Sequence, residues 1–531
     1  MGSAQKERSG GRWAPAAGGA VSGLVSAFAG LAVAELAAVA VRPEAAPLTA
    51  VGGAVVDRTP AAVKEWAIRA FGTSDKLVLT LGITVVLALL AAGTGILAVR
   101  RLRAGLALAA AVGVIGAVAA LSRPEATWKD ALPSLAGGAV AAGTLYLLVT
   151  ALRRPRPTPG RPGGTWPMDR RGFGRLVAAT VAASAAAGLA GRRLGAHGSA
   201  RATVSRADLV LPPPAVPAPP VPAGADLRIP GLSPFLTPTG DFYRVDTALV
   251  VPRVDADTWR LTLHGDGVTR PLTLGLRDLL ARPLVEHDIT LTCVSNEVGG
   301  PYAGNARWLG VRLADLLREA GVRPPSEGGP ADQLVAGSVD GMTIGTPVET
   351  VMDGRDALLA VGMNGAPLPF AHGFPVRMVV PGLYGYVSAC KWLRELRLTT
   401  FAAYDAYWVR RSWAQQAAVK TQSRIDTPRP FADAAPGRVA VAGVAWAQHR
   451  GIARVEVRAD GGPWRAASLA AADGVDTWRQ WVWPWDATPG PHTLEVRATD
   501  GTGQVQPGTR TGTIPDGATG WHTITVNVRS S

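Results

Sequence analysis

At 531 residues the chain has room for two or three domains, and its 47% hydrophobic content is high for a soluble protein, so part of it belongs in lipid. The net charge of +14 does not mark a nucleic-acid binder, because the arginines gather at the ends of apolar runs in the N-terminal part and not on one folded face. With only two cysteines, Cys293 and Cys390, a disulfide framework is excluded.

Four apolar stretches, 20–41, 77–99, 104–121 and 132–152, are long enough to cross a bilayer, which takes roughly 20 helical residues. They predict a four-helix transmembrane bundle over residues 1–152, rich in the Ala and Gly that let helices pack closely in lipid. Glu35 lies inside the first stretch, as a buried hydrogen-bond partner or a functional group. Lys6, Arg8 and Arg12 place the N-terminus in the cytoplasm, and so do the arginines of the 100–103 link for that turn. The loops at 42–76 and 122–131 mix acids and bases and are expected outside.

Residues 153–175 carry seven arginines and one acid, Asp169, which returns the chain to the cytoplasm. Residues 153–200 are therefore expected as a basic loop followed by a fifth apolar segment. Within them Asp169-Arg170-Arg171-Gly172-Phe173-Gly174-Arg175-Leu176 leads into an Ala-rich run. This is similar to a twin-arginine export signal, which implies export of a folded passenger; it equally suits ordinary anchors of a fifth helix. Both readings give a multi-pass cell-membrane protein with its C-terminal half on the extracytoplasmic side. The Pro-rich run at 201–235 is expected as an extended spacer.

Beyond the spacer the pattern is of alternating strands and short helices. Residues 259–265 alternate apolar and polar positions as a strand does, and 274–280 suit a short helix. A second strand, 288–292, delivers the chain to Cys293-Val294-Ser295-Asn296-Glu297-Val298-Gly299-Gly300. A thiolate at a strand end before a Gly-rich loop can bind a soft metal or act as a nucleophile. From about 428 the pattern turns all-β, with strands at 438–444, 452–459, 480–485 and 492–499, as in an immunoglobulin-like sandwich over 425–531. Trp478, Trp481, Trp483 and Trp485 suit a core or a dimer contact better than a base-stacking platform.

Between these regions stands Met363-Asn364-Gly365-Ala366-Pro367-Leu368-Pro369, then His372-Gly373-Phe374-Pro375-Val376-Arg377, Val379-Val380-Pro381-Gly382 and Lys391-Trp392-Leu393. In this order and spacing, with Leu291-Thr292-Cys293-Val294-Ser295-Asn296 upstream, they closely resemble the sulfite oxidase family of molybdopterin enzymes. The resemblance covers about 236 to the C-terminus and implies an α+β molybdopterin domain over 236–424, followed by a dimerisation domain and hence a homodimer. It implies a molybdenum cofactor bound by molybdopterin, with Cys293 as the metal ligand. His372, Arg377, Lys391, Ser388 and Asn296 would then contact the cofactor. Asp241-Phe242-Tyr243-Arg244-Val245-Asp246 resembles the family's entry strand, which puts Phe242, Tyr243 and Arg244 at the cofactor and Arg244 towards the metal site. Arg450 matches an arginine that in relatives reaches the active site from the last domain.

Several departures bear on the substrate. Val245 and Asp246 stand where the family often has Asn-His, and Glu297 and Val298 replace arginines that form a pocket for sulfite. Trp413 in Trp408-Val409-Arg410-Arg411-Ser412-Trp413 takes the place of an active-site tyrosine. An acid repels a dianion, so a larger or less charged small molecule, such as a sulfoxide, stands beside sulfite. No Cys-x-x-Cys-His haem signature or iron–sulfur cysteine set is present, so electrons must pass to a separate partner such as a quinone or cytochrome. Two other readings are a receptor or scaffold without cofactor on the same fold, and a thiol redox protein using Cys293 with Cys390. Retention of Cys293, His372, Arg377 and Lys391 opposes the first, and the lack of a Cys-x-x-Cys pair opposes the second.

Overall fold

The computed structural model describes residues 10–59, 63, 71, 75–123, 126–153 and 170–530. Lys6, Arg8 and the basic run at 154–169 lie outside the described residues. The chain divides into two compact units, one formed by residues 1–200 with 247–251 and the other by 201–246 with 252–531.

The first unit contains α1 (Gly10–Val41), α2 (Pro47–Arg58), α3 (Asp75–Arg100), α4 (Leu102–Leu121) and α5 (Leu132–Arg153); α6 (Arg170–Ala207) begins in it. Among the described residues, five helices are long and apolar enough to cross a membrane: Ala16–Val41, Leu77–Arg100, Leu102–Leu121, Trp128–Arg153 and Gly172–Ala207. They correspond to the four expected spans and the fifth apolar segment, which is helical without a break. Helix α2 falls inside a stretch expected as a loop. Its Gly52 and Gly53 lower helix propensity, but both are buried along with Ala50 and Ala54, so packing offsets what the sequence lacks.

Small residues let these helices meet backbone to backbone. A Cβ on Gly23 would fall 1.9 Å from the Ala91 carbonyl oxygen, and one on Gly95 would fall 2.0 Å from that of Gly19, so α1 and α3 close to contact. Gly30 and Gly137 join α1 to α5 in the same way. At one end of the bundle the ion pairs Arg42–Asp130 and Arg123–Asp57 tie together the two connections expected to share a face.

The second unit begins with the last turn of α6. Arg206 donates to the carbonyls of Leu368 (2.7 Å) and Pro367 (2.9 Å). The Pro-rich run that follows is not a free spacer. Proline lacks an N–H but its neighbours can still bond and bury, and here the Ala215 N–H reaches the Leu284 carbonyl while Phe235 and Ala225 are buried in the main core.

Ten strands then form two sheets. β1 (Arg260–Gly265), β2 (Leu272–Gly275), β3 (Val285–Thr292), β4 (Ala303–Arg312) and β5 (Gln333–Ser338) come first in the chain. After them come β6 (Thr343–Pro347), β7 (Leu358–Met363), β8 (Ala366–Pro367), β9 (Arg377–Val379) and β10 (Leu393–Thr399). One sheet runs β2-β1-β10-β5-β6, and the other runs β3-β4-β7-β8 with β9 on β7. Strands β5, β6 and β7 are buried along their whole length, β7 as an apolar run and β5 and β6 with buried polar residues such as Gln333 and Thr346 among the apolar ones.

The C-terminal part is β-rich, in two further sheets. It comprises β11 (Gln422–Thr427), β12 (Asp433–Ala434), β13 (Gly437–Trp446), β14 (Ile452–Ala459) and β15 (Arg465–Ala466). To these are added β16 (Ser468–Leu469), β17 (Arg479–Ala487), β18 (Gly490–Asp500) and β19 (His522–Val528). The sheets are β11-β13-β17-β16 and β12-β19-β18-β14-β15, enclosing Trp481, Trp485, Val455, Val496 and Ile524. Alternate tryptophans of β17 thus face a core, as their spacing predicts. Packing crosses the boundary expected at 424, because Val444, Trp446 and Trp478 belong to the core of the preceding sheets.

Overpacking a close backbone contact costs about 1–3 kcal/mol. Gly95→Val should therefore lower the thermal midpoint of the detergent-solubilised protein. Gly82→Val, where nothing lies within 4 Å of the new Cβ, should leave it unchanged.

Candidate functional site

Cys293 follows β3 directly. The antiparallel register of β3 and β4 pairs Thr292 with Ala303, so residues 293–302 form the loop between the two strands. The loop is braced from within: the Cys293 N–H donates to the Tyr302 carbonyl (3.0 Å) and the Asn296 N–H to that of Cys293 (3.1 Å). Asn296 Oδ1 accepts the Tyr302 N–H at 2.7 Å. That places the Asn296 oxygen on its own loop. The half-buried Cys293 sulfur lies 2.9 Å from Ser295 Oγ. Burial pushes its thiol pKa up, while the Ser295 contacts and the charge of Lys391 oppose that rise.

A cluster of cations lies around Lys391, whose charge acts on this thiol. Arg377, on β9, is 5% exposed, donates to the His372 carbonyl (3.2 Å) and lies 4.9 Å from the centre of the Trp308 ring. Its Nε is buried with no partner among the described residues. Lys391 Nζ reaches Asp246 (2.8 Å) and the Ala371 carbonyl (3.4 Å), and Arg244 holds the same Asp246 at 2.7 Å. Gly373, at φ +108°, makes the turn that brings these groups together; a Cβ there would press on both Arg377 and Lys391 at 3.1 Å.

Electrostatics show how crowded the positive charge is. Burial lowers Arg377 to about 10, and burial together with neighbouring arginines lowers Lys391 to about 8 despite Asp246. His372 drops to about 4, through burial first and then the charges of Arg377 and Lys391, so it is neutral at neutral pH. Phe242 packs edge-on to His372 and Trp308 and stacks on Tyr243. The Tyr243 hydroxyl pKa is raised by burial first and then by the Cys293 charge.

The structure thus brings Cys293, Arg244, Tyr243, His372, Arg377 and Lys391 together. Ser388 is fully buried and donates to the carbonyls of Leu383 and Tyr384. Trp413 lies 5.6 Å from Tyr386 and 6.2 Å from Trp408, ring to ring. Arg450 is held by Asp500 (2.9 Å), the Val419 carbonyl (2.8 Å) and Thr421. Glu297 is exposed and Val298 buried.

Two participants were not picked out from sequence. Asp246 stood only as a departure from a pattern, yet it is the shared carboxylate of Arg244 and Lys391. Tyr384 is buried and pushed up to about 12 by burial, with Cys293 contributing. Its place in Tyr384-Gly385-Tyr386, just before the lysine segment, was the available signal.

The cluster suits an anionic group. Arg244 and Lys391 share one carboxylate, Arg377 is buried with its Nε unpartnered among the described residues, and an uncompensated buried cation is costly. Among the described residues no group of three or more His, Cys, Asp or Glu could hold a metal ion, so a metal at Cys293 would draw its other ligands from outside the chain.

Comparison with known proteins agrees with this chemistry. A family model described as an oxidoreductase molybdopterin binding domain matches residues 248–408, which include Cys293, His372, Arg377, Ser388 and Lys391. Human (Homo sapiens) mitochondrial sulfite oxidase is 33% identical over 292 residues, which cover 47% of this chain and 52% of that protein. Sulfite oxidase of Gallus gallus is 33% identical over 295 residues, 48% of this chain and 63% of that one. Among solved structures, the sulfane dehydrogenase SoxCD of Paracoccus pantotrophus aligns with 26% identity and a TM-score of 0.48, over 56% of this chain and 84% of that one. The chain spans about half the length of the human relative it matches.

The neutral buried state of His372 has a consequence for stability. Below its unfolded pKa of about 6.5 the unfolded chain takes up a proton that the folded chain refuses until about 4. Stability is then full above pH 6.5, falls as pH drops towards 4 and levels off below, by roughly 3 kcal/mol at most for this group. His372→Gln should flatten the denaturant midpoint between pH 4 and 6.5. An unchanged slope would show that the imidazole is not held neutral.

Proposed function

This chain belongs to the sulfite oxidase family of molybdopterin-dependent oxidoreductases, and on that footing we propose that its soluble half carries a molybdenum cofactor held through Cys293. The buried excess of positive charge beside the Cys293 thiol, with Arg377 Nε unpartnered, carries this proposal. A bound molybdopterin would supply oxygen-atom transfer coupled to two electrons.

The chain's residues divide the remaining work. Cys293 offers one soft sulfur ligand. Arg377 and Lys391 take the pterin phosphate, for which a buried guanidinium is well shaped. His372, neutral, offers ring nitrogens for hydrogen bonding, and Phe242 with Tyr243 forms an aromatic wall. Asn296 and Ser388 fix the loops that carry these groups. Arg244, the most open of the three cations, is left to meet an anionic part of substrate or cofactor. Arg450 acts from its Asp500 and Val419 anchorage, at the Tyr384 side.

Glu297 in place of an arginine and Trp413 in place of a tyrosine put a larger or less charged small molecule, such as a sulfoxide, beside sulfite as the substrate. Five apolar helices support anchorage in the cell membrane. The catalytic half is proposed to lie on the extracytoplasmic side after export through the twin-arginine-like segment. Its electrons pass to a separate quinone or cytochrome, and the C-terminal sheets are read as an immunoglobulin-like dimerisation domain. A thiol pair is disfavoured, since both cysteines are free and the Cys390 sulfur is buried against the Ala336 carbonyl.

Protein purified from a host that makes the cofactor should hold about one molybdenum per chain by elemental mass spectrometry, and Cys293→Ser, which keeps the cations proposed to hold the pterin phosphate, should still bind the metal without that sulfur. Wild-type protein without molybdenum but with an oxidisable Cys293–Cys390 pair would contradict the proposal.

A further inference from the structure

The Cys293 loop is held from outside as well as from within. On β11, Arg424 Nη1 donates to the Gly300 carbonyl at 2.8 Å. Its other nitrogens bond Ser233 Oγ (3.0 Å) and Asp426 (2.6 Å), so all three arms of the guanidinium are fixed and the side chain is 10% exposed. From β19, the His522 ring lies flush against Gly299; a Cβ there would fall 2.2 Å from it, and Gly299 sits at φ +79°. His522 Nδ1 accepts the Ile425 N–H (2.9 Å), which locks the ring in place.

The strand leading into the cysteine is gripped too. Gln448, which follows β13 and is 1% exposed, donates through Nε2 to the Thr290 carbonyl (2.9 Å) and to Thr292 Oγ1 (3.0 Å). The Trp478 N–H donates to Thr290 Oγ1 at 2.7 Å. Both flanks of Cys293 are therefore fastened by side chains or backbone of the C-terminal sheets. The stretch between the fastenings carries the sulfur.

We infer that the C-terminal β region is a working part of the candidate site, with Arg424, His522 and Gln448 as positioning residues that set where the Cys293 sulfur lies. A domain that served association alone would need no bonds to this loop. Fixed dipoles and bonded arms set a ligand's position within the narrow tolerance that a metal site demands. The consequence for a metal rests on the molybdenum proposal; the fastening itself does not.

Hydrogen exchange read by mass spectrometry tests it on the full-length protein. Arg424→Gln and His522→Ala should each speed exchange of the 293–302 amides by about fivefold or more while β18 and β5 stay at wild-type rates. Arg424→Lys, which keeps one donor, should recover part of the protection. In metal-loaded protein the thiolate-to-metal absorption band should shift in both variants. If Arg424→Gln does not fold, His522→Ala carries the test alone. Loop exchange below that threshold in a folded variant overturns the inference. A metal-free wild type would sink the molybdenum proposal and leave the exchange result to stand by itself.

Discussion

Lys391 and Arg244 share a single carboxylate, Asp246, while the buried Arg377 keeps an Nε with no hydrogen-bond partner among the described residues. The energy of burying ions is large unless each finds a partner, so an anion from outside the chain is the partner proposed for these cations. His372 adds bulk and hydrogen-bonding capacity without adding charge, because burial first and its cationic neighbours second keep it deprotonated. Lys391 reaches towards the thiol from the same side. One electrostatic arrangement thus links the proposed phosphate site with the proposed metal-binding sulfur.

The scaffold holds that arrangement from three directions. The central sheets place Cys293 at the end of β3 and Arg377 at the start of β9. The last turn of α6, through Arg206, holds the carbonyls just before the His372 turn. The C-terminal sheets hold the loop after Cys293 and the strand before it. A site supported on all these sides is stiff, and stiffness is what a metal centre of fixed geometry requires.

Much of this was readable in the residues. The strand before Cys293, the glycines after it and the order of His372, Arg377 and Lys391 are local patterns, and local patterns survive in sequence. Strand alternation around Trp481 and Trp485 likewise foretold a buried face. What was hidden depends on contacts distant in the chain. Asp246 becomes a counter-ion only once Lys391, far along the sequence, folds onto it. Gln448 and Arg424 look like ordinary polar residues of a β region until their partners at Thr290 and Gly300 are known. The Pro-rich run has the composition of a spacer, and its docking depends on apolar side chains such as Phe235 finding a core.

X-ray absorption at the molybdenum edge of the purified protein counts sulfur neighbours directly. Three sulfurs around the metal, reduced to two when Cys293 is replaced by serine, are what a cofactor dithiolene plus this one side chain should give. Equal sulfur counts in the two proteins would mean that the metal is held without Cys293, and the site built around it would have to be abandoned.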